Sequence, residues 1–557
     1  MADTSYLQDQ LLKMRREAEE RDAQRRAQSL GLAYLSPSQV SINLEALSLL
    51  SEDEARLGQC AVIAQKDKKI AVIASDPGYS ETKKTLEKLK SDGYSPTVYV
   101  VSLSSLKYAL DFYRFVQKER QAIVGKVKVG QSQDQGSLEE DLDSVPKVKQ
   151  AIESFNDAGQ VSKILDVVLN GALKTRSSDI HFEPTSQGAK LRFRIDGNLN
   201  DVFDNFSQAT YRSILSRIKL LSNLKLNVRD EPQDGRFTIN FPTKDVEVRV
   251  AIAPSEFGEV VVMRLLDPDA INLSLSDLGL REDDLVIAKE QLDRPHGMVL
   301  NTGPTGSGKT TTLYAFLRHK VTPELKIITI EDPIEYHLEG IQQTQVDNEA
   351  GYTFASGLRS LMRQDPDVIL VGEIRDKETA EIAVQAALTG HLVLSTVHAN
   401  QASGAIPRLL DLGVKAASLA PALNLLIAQR LVRRICTHCK EKVEVTSDLK
   451  EKLEKFISAL PERVNKKYYL ENLQIAKGKG CEKCNFSGYK GRVGIYELLV
   501  VNEKIQELII KESGQLAIEE EVKKSDFVSM QQDGVLKFAT GLTSLEEVES
   551  VTGKINW

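Results

Sequence analysis

Eight residues constrain this chain more than any others. Gly303, Pro304, Thr305, Gly306, Ser307, Gly308, Lys309 and Thr310 satisfy the pattern G-x-x-x-x-G-K-[ST]; the apolar run Met298-Val299-Leu300 precedes them and a helical stretch, Thr311 to His319, follows. Strand, glycine loop and helix together are the setting in which this pattern cradles phosphate. Glycines let backbone N–H groups turn inward onto phosphate oxygens, and the helix N-terminus adds partial positive charge. Lys309 is expected to bridge the β- and γ-phosphates of ATP, with the Thr310 hydroxyl on Mg²⁺ and Thr311 completing the binding segment. Such a loop has to be mounted on a sheet. The runs Ile327–Ile330, Val368–Val371 and Leu392–Leu394 are short, apolar and separated by helical stretches. That suits strands buried on both faces of a mainly parallel sheet, so the expected fold class is α/β and multidomain.

Acidic and basic groups fall where such a sheet would deliver them. Asp367-Val-Ile-Leu-Val-Gly-Glu373 is an apolar strand ending in a carboxylate. The carboxyl end of a buried strand faces the ligand crevice of an α/β sheet, so Glu373 is a candidate to hold a magnesium-bound water or to activate the attacking one. Ile330-Glu331-Asp332-Pro333-Ile334-Glu335 also follows an apolar strand. Its Glu331 and Glu335 are candidates for aligning or deprotonating water. His391 and His398 stand at either end of the run Leu392–Val397; they are either structural residues or sensors of the γ-phosphate.

Five cysteines are too few for a disulfide scaffold in 557 residues, and four of them form two motifs, Cys436-Thr-His-Cys439 and Cys481-Glu-Lys-Cys484, separated by 41 residues. Two C-x-x-C knuckles supply four thiolates for a closed, tetrahedral structural Zn²⁺ site. A thioredoxin-like redox site would need one such pair beside a strand–helix junction. His438 is then a spare nitrogen, and Cys60, inside an apolar run, is expected in a core. Net charge is −7, against a chain built to coat nucleic acid, yet residues 430–495 carry 16 Lys+Arg and 8 Asp+Glu, a local +8 that leaves −15 elsewhere. That segment is either a solvated surface or a contact for an acidic partner. No apolar run reaches the roughly 18 residues of a bilayer span. The charged start, MADTSYLQDQLLKMRREAEERD, lacks the apolar core of a secretory signal, so a cytoplasmic protein is expected.

Four ordered segments, GPTGSGKT, ITIEDPIE, DPDVILVGEIRD and GHLVLSTVH, resemble the Walker A, Asp box, Walker B and His box of the type II/IV secretion motor ATPases. SSDIHFEP (177–184) and PQDGRF (232–237) extend the likeness, which runs from residue 150 to the C-terminus. The resemblance implies a RecA-like P-loop core preceded by a PAS-like α/β lobe, assembled as a homo-hexamer with ATP between the two lobes of each subunit. It also implies that the preceding lobe supplies arginines to the phosphates. Arg249 in VEVRVA and Arg264 in VVMRLL match positions the family uses, Arg192 and Arg194 in LRFRIDG are further candidates, and Arg408 matches another family arginine. Arginines alternating along strands also suit a solvated sheet face, which is the competing reading. The segment GCEKCNFSGYKGRVGIYELL (480–499) looks like the zinc-containing part of the assembly-type motors, which retraction motors lack. The gap between the knuckles is longer than the family's, and an insertion over Val464 to Leu473 is expected.

Residues 27–120 resemble part of the N-terminal domain of these assembly motors, through SLGLAYLSPSQVSINLEALSLLSEDEAR, KIAVIASDP and GYSPTVYVVS. Some relatives bind cyclic di-GMP through an RLGxxL-type motif; none stands before residue 27, and Arg56-Leu57-Gly58 occurs in another context. The expected partition is an adapter domain over 1–120, a polar linker over 121–147, an arginine-bearing lobe over 148–270 and an inter-lobe linker over 271–285. The ATPase core over 286–430, a tetracysteine zinc segment over 431–495 and a helical C-terminal region over 496–557 complete it. The function implied is a cytoplasmic hexameric ATPase at the inner face of the cytoplasmic membrane. It would drive assembly of a type IV pilus or type II secretion pseudopilus through an inner-membrane platform protein, its membrane association peripheral and its work independent of nucleic acid. A DNA-uptake or conjugation-type motor is the alternative, followed by a nucleotide-gated adapter that does not hydrolyse.

Overall fold

The computed structural model describes residues 18–36, 42–66, 68–113, 126–128, 142–155, 160–241, 244–555 and 557. They divide into two compact units, one of residues up to 265, the other of 266–557 together with the short segments 143–146 and 196–198.

The first unit contains two sheets. Four strands, β1 (Ala33–Tyr34), β2 (Cys60–Lys66), β3 (Lys69–Ala74) and β4 (Ser95–Val100), lie in the order β1-β4-β3-β2. Cys60 is fully buried in their core, as its apolar run predicts. The leucines of residues 6–28 (Leu7, Leu11, Leu12) with Met14 predict a helix whose first part lies outside the described residues; residues 18–30 are helical, pinned by the Glu20 carboxylate, which accepts from Tyr34 Oη at 2.5 Å and Ser102 Oγ at 2.6 Å. Arg56-Leu57-Gly58 closes a short helix, Glu52–Leu57, and a side chain on Gly58 would run into Thr85, so a packing requirement accounts for the glycine.

The second sheet comprises β5 (Lys126–Lys128), β6 (Ser177–Pro184), β7 (Ala189–Ile195), β8 (Asn198–Phe206), β9 (Gln233–Asn240), β10 (Asp245–Ser255) and β11 (Gly258–Leu266), ordered β5-β9-β10-β11-β6-β7-β8. Period-2 alternation puts Val246, Val248, Val250 and Ile252 inward, under helices Val161–Lys174 and Gln208–Leu221. Within the stretch expected as a linker, residues 121–125 and 129–141 lie outside the described residues. Lys126–Lys128 is a strand paired parallel to β9, and a helix, Val145–Ser154, begins before the stretch ends.

The second unit is built on β12 (Gly297–Thr302), β13 (Ile327–Glu331), β14 (Gln342–Gln345), β15 (Val368–Val371), β16 (Leu392–Val397), β17 (Leu423–Ile435) and, beyond the two short strands β18 (Lys440–Lys442) and β19 (Ala476–Gly478), β20 (Tyr489–Val500). Its order is β14-β13-β15-β16-β12-β17-β20, parallel except for the β17–β20 pair. Every residue of β12, β13, β15 and β16 is buried, because helices cover both faces. Met298 and Leu300 enter one core layer and Val299 the other; Ile369 and Val371 likewise oppose Val368 and Leu370.

Residue 430 lies inside β17 and residue 495 inside β20, so both expected cuts fall within paired strands. The cysteine segment is an excursion between two neighbours in the core sheet. The expected insertion carries a helix, Lys466–Glu471, and Val464 and Leu473 beside it pack with Leu536 and Ala539 of helix Met530–Ala539. A buried ionic cluster ties this excursion to the start of the core. Arg281 lies 3.0 Å from Asp283, 2.7 Å from Asp284 and 2.9 Å from Asp533, and Arg463 lies 2.7 Å from Asp284. Lys537 completes it, 2.6 Å from Asp533. Breaking such a buried set from one side costs about 3–5 kcal/mol, because the remaining charges stay desolvated. After β20 the chain is helical, in Glu503–Ile510, Gln515–Lys524, Met530–Ala539 and Leu545–Thr552.

Candidate nucleotide and metal sites

Strands β12, β13, β15 and β16 run the same way, so their carboxyl ends share one edge of the sheet, and the loop Gly303–Gly308 emerges there between β12 and helix Lys309–Lys320. Gly303, Gly306 and Gly308 have φ of 148°, 79° and 90°, a region that side chains disfavour. Two of them also need the space. A Cβ on Gly303 would stand 2.6 Å from Ser307 Oγ and 2.7 Å from the Gln429 carbonyl oxygen, and one on Gly308 2.8 Å from Gln429 Nε2. Gln429, on β17, is buried beneath the loop and accepts from Asn301 Nδ2 at 3.0 Å and Thr312 Oγ1 at 2.8 Å. It joins β12 and the helix into one polar network beneath the loop. No motif marks Gln429; its signal in the sequence is an amide that directly follows the apolar run Leu425-Leu426-Ile427-Ala428.

Lys309 Nζ donates to the carbonyls of Gly303 at 2.8 Å and Pro304 at 3.0 Å. Burial pulls its pKa down, Arg430 adds to that, and the Glu373 carboxylate opposes it. Pro304, Thr305, Gly306 and Thr310 are exposed and Thr311 is half-buried, so the rim of the loop is open. Glu373 follows β15 by two residues; its carboxylate contacts the Arg375 guanidinium and lies 3.5 Å from His398 Nε2. The structure thus brings Lys309, Glu373 and His398 to the same edge.

The remaining candidates are placed differently. Glu331 ends β13 fully inside the protein, its carboxylate accepting from the Tyr314 hydroxyl, from Thr329 Oγ1 at 2.6 Å and from Gln343 Nε2 at 3.1 Å. Burial, then the charge of Glu331, drives the Tyr314 hydroxyl pKa upward, so it stays a donor. Glu335 is half-buried in the loop beyond the cis Asp332–Pro333 bond. Of the two histidines only His398 reaches the site. β16 carries them to opposite edges, about 23 Å apart at about 3.3 Å per residue, and His391 Nδ1 instead meets the Ala386 carbonyl at 3.0 Å at the end of helix Lys377–Leu388. Arg408 is exposed on helix Ala405–Asp411.

The lobe arginines belong to the first unit and share the face of its larger sheet opposite the apolar core. Arg264 lies 3.0 Å and Arg194 3.5 Å from the Asp179 carboxylate, on flanking strands in register with it. Arg192 lies 2.8 Å from Asp201 and 3.5 Å from Glu183, while Arg249 is 3.6 Å from Glu247 and directly opposite Arg236.

The cysteines form a cluster in which all four Sγ atoms lie within 4.8 Å of one another. Cys436–Cys481, Cys439–Cys484 and Cys481–Cys484 are 4.0, 3.8 and 3.7 Å apart. A tetrahedral Zn²⁺ with Zn–S of about 2.3 Å sets its sulfurs about 3.8 Å apart, whereas a disulfide needs about 2.05 Å. The donor set fits zinc. Each knuckle is shaped by its backbone: Cys439 N–H donates to Cys436 O at 3.3 Å, Cys484 N–H to Cys481 O at 3.1 Å, and Cys436 N–H to Gly488 O at 2.9 Å. Below it β18 pairs with β19, which closes the 41-residue gap at its base.

The family described as type II/IV secretion system protein matches residues 154–550. The chain is 42% identical over 458 residues to the type II secretion system ATPase E of Vibrio cholerae, covering 80% of this chain and 88% of that protein. It is 37% identical over 528 residues to the type IV pilus assembly ATPase PilB of Pseudomonas aeruginosa, covering 94% of this chain and 89% of the other. Among solved structures, the ATPase DotB of Legionella pneumophila is similar with a TM-score of 0.50 at 22% identity, over 70% of this chain and 94% of that one, a likeness of fold alone.

Proposed function

Because the chain belongs to the type II/IV secretion system protein family, we propose that it is a cytoplasmic, hexameric motor that hydrolyses ATP to drive assembly of a type IV pilus or a type II secretion pseudopilus. The observation that carries the hydrolase reading is the meeting of Lys309 and Glu373 at the carboxyl edge of a parallel sheet, beside a loop whose glycines leave its backbone open to phosphate. Phosphate oxygens entering the loop would draw Lys309 Nζ off the Gly303 and Pro304 carbonyls it now satisfies. Thr310 Oγ1 and, through water, Glu373 would hold Mg²⁺, which supplies neutralisation of the phosphate oxygens. Glu373 is the candidate base for the attacking water, its carboxylate oriented by Arg375 and His398. Glu331, ringed by three donors, is better suited to fixing Tyr314 and helix Lys309–Lys320 against β13.

Arg249, Arg264 and Arg194 would contribute from the arginine-bearing lobe. Arg249 stands directly opposite Arg236, a like-charge cross-strand pair next to Glu247 that an anion lying over it would further offset. Zn²⁺ on Cys436, Cys439, Cys481 and Cys484 would hold the excursion closed. Among the described residues no helix is long and apolar enough to cross a membrane. Attachment is proposed through an acidic cytoplasmic segment of a platform protein, and the charge distribution supports a narrower contact than the segment total suggests. Residues 443–475 carry six Lys+Arg and six Asp+Glu, so the +8 lies outside them: Arg430, Arg433 and Arg434 are on β17, and the remaining excess is on the knuckles, the β18–β19 pair and the start of β20.

Purified full-length protein is expected to release phosphate from ATP with Mg²⁺, and Lys309→Ala to release none above background. Turnover by that variant at the parental rate would overturn the site.

A further inference from the structure

Arg430, next to Gln429 on β17, is a half-buried guanidinium that no sequence motif marks. Its Nη1 donates to the Gln429 carbonyl at 3.0 Å and its Nη2 to the Asn400 carbonyl at 3.2 Å. Nη1 would also stand 3.2 Å from a Cβ on Gly303, so the guanidinium rests against the first glycine of the phosphate loop. Lys309 Nζ sits at the same place, on the Gly303 and Pro304 carbonyls. A guanidinium has five N–H donors, of which these two bonds use two.

We propose that Arg430 is a second phosphate-contacting cation, supplied in cis, that grips the terminal phosphate ATP has and ADP lacks. The inference deepens the ATPase reading and rests on it. Charge at the loop is the first reason. Among the described residues no carboxylate forms an ion pair with Arg430 or Lys309. Glu497, which lies nearest in charge to Arg430, is committed to the N–H groups of Ala402 at 2.7 Å and Met530 at 3.1 Å. Glu373 is shared with Arg375 and His398. Burial lowers the pKa of both cations. Two partly desolvated positive groups beside a ring of inward N–H donors are unfavourable until an anion arrives.

Position is the second reason. In this motif the lysine reaches the β- and γ-phosphates, and Arg430 flanks that lysine at Gly303. Its other anchor, Asn400, is two residues past His398, so a phosphate drawn onto Arg430 bears on the loop that carries His398 against Glu373.

The test uses the full-length protein with Arg430→Gln and Arg430→Lys. Affinity is measured with Mg²⁺ for ADP and for a non-hydrolysable ATP analogue, alongside kcat and KM for ATP. Arg430→Gln should weaken the analogue about tenfold or more, the loss of one hydrogen bond to a charged group, and leave ADP within about threefold. It should lower kcat about 100-fold, the scale of removing one transition-state donor, and Arg430→Lys should restore part of both. An equal loss for ADP and the analogue, an unchanged preference, or a fall in Tm with no rescue by lysine would show that Arg430 merely braces β17 to the Asn400 loop, and would overturn the proposal. Wild-type protein that binds neither nucleotide would instead sink the ATPase reading itself.

Discussion

The phosphate loop and the cysteine cluster hang on the same strand and are built in opposite ways. β17 places Gln429 beneath the loop and leads, seven residues on, to Cys436 in the four-cysteine cluster. At the loop, the backbone is fixed by a seven-stranded sheet in which β12 lies between β16 and β17, and by buried amide and hydroxyl bonds, so packing sets the surface a nucleotide would meet. At the cysteines, two turns project beyond the sheet and converge through four sulfurs, with the short β18–β19 pair beneath them. Preorganisation by packing and preorganisation by a metal should fail differently. One site can lose chemistry and keep its fold; the other loses its fold first.

The largest effect should come from the chemical half of that contrast. Glu373→Gln keeps size and position but cannot accept a proton, and kcat should fall about 10²–10⁴-fold, the range of a general base. Binding of a non-hydrolysable ATP analogue should stay within a few fold, and Tm should not drop. A variant that fails to bind nucleotide would mean that Glu373 holds the loop together instead.

Next comes metal removal. Structural zinc supplies folding free energy directly, so Cys481→Ser, or a strong chelator, should lower Tm and open residues 436–488 to protease. Turnover should drop less than about tenfold, because the loop is held by the sheet, a network worth several net hydrogen bonds of about 1 kcal/mol each. If chelation abolished turnover at once while thermal unfolding stayed unchanged, the metal would belong to the chemistry and the contrast would collapse.

Glu331→Gln should be smaller still. Removing the charge from a carboxylate with three donors costs about 1–3 kcal/mol, visible as a lower Tm, with kcat reduced less than about tenfold. A loss in kcat as large as that of Glu373→Gln would return Glu331 to the water-activating role its sequence position suggested.

These outcomes track what was legible in the chain. The loop, its flanking strand and helix, and the carboxylate at each strand's end are local patterns, and period and motif expose them. The cysteine cluster was legible too, since two C-x-x-C motifs admit few other uses. What stayed hidden depends on pairings distant in sequence. Gln429 reaches the loop only because β17 adds beside β12, and the strand continues through residue 430 because β20 pairs with it some sixty residues later. His391 looked like the twin of His398 because sequence shows that six residues separate them without showing that a strand exports them to opposite edges.

Charge separates the two regions last and most finely. The segment total of +8 suggested one basic surface, but the stretch between the knuckles, with helices Ser447–Ser458 and Lys466–Glu471, offsets its own lysines. Lys452 lies 2.6 Å from Asp448, Lys455 2.7 Å from Glu451 and Lys466 2.7 Å from Glu462, each at i,i+4 spacing. Lys442, Lys477, Lys483, Lys490 and Arg492 are exposed around the knuckles, and a partner with an acidic segment would find them unneutralised. Reversing Lys483, Lys490 and Arg492 to Glu should leave Tm nearly unchanged, since exposed substitutions move stability by within about 0.5 kcal/mol each, and should leave basal turnover intact. It should weaken capture of the purified cytoplasmic part of a platform protein, and most strongly at low salt, where exposed charges act over about 30 Å at 0.01 M. The same reversal at Lys450, Lys452 and Lys455 is the control, expected to have little effect because those charges are already paired within their helix. Equal losses from both sets would place the contact on the whole excursion; losses from the helix set alone would move it off the metal site.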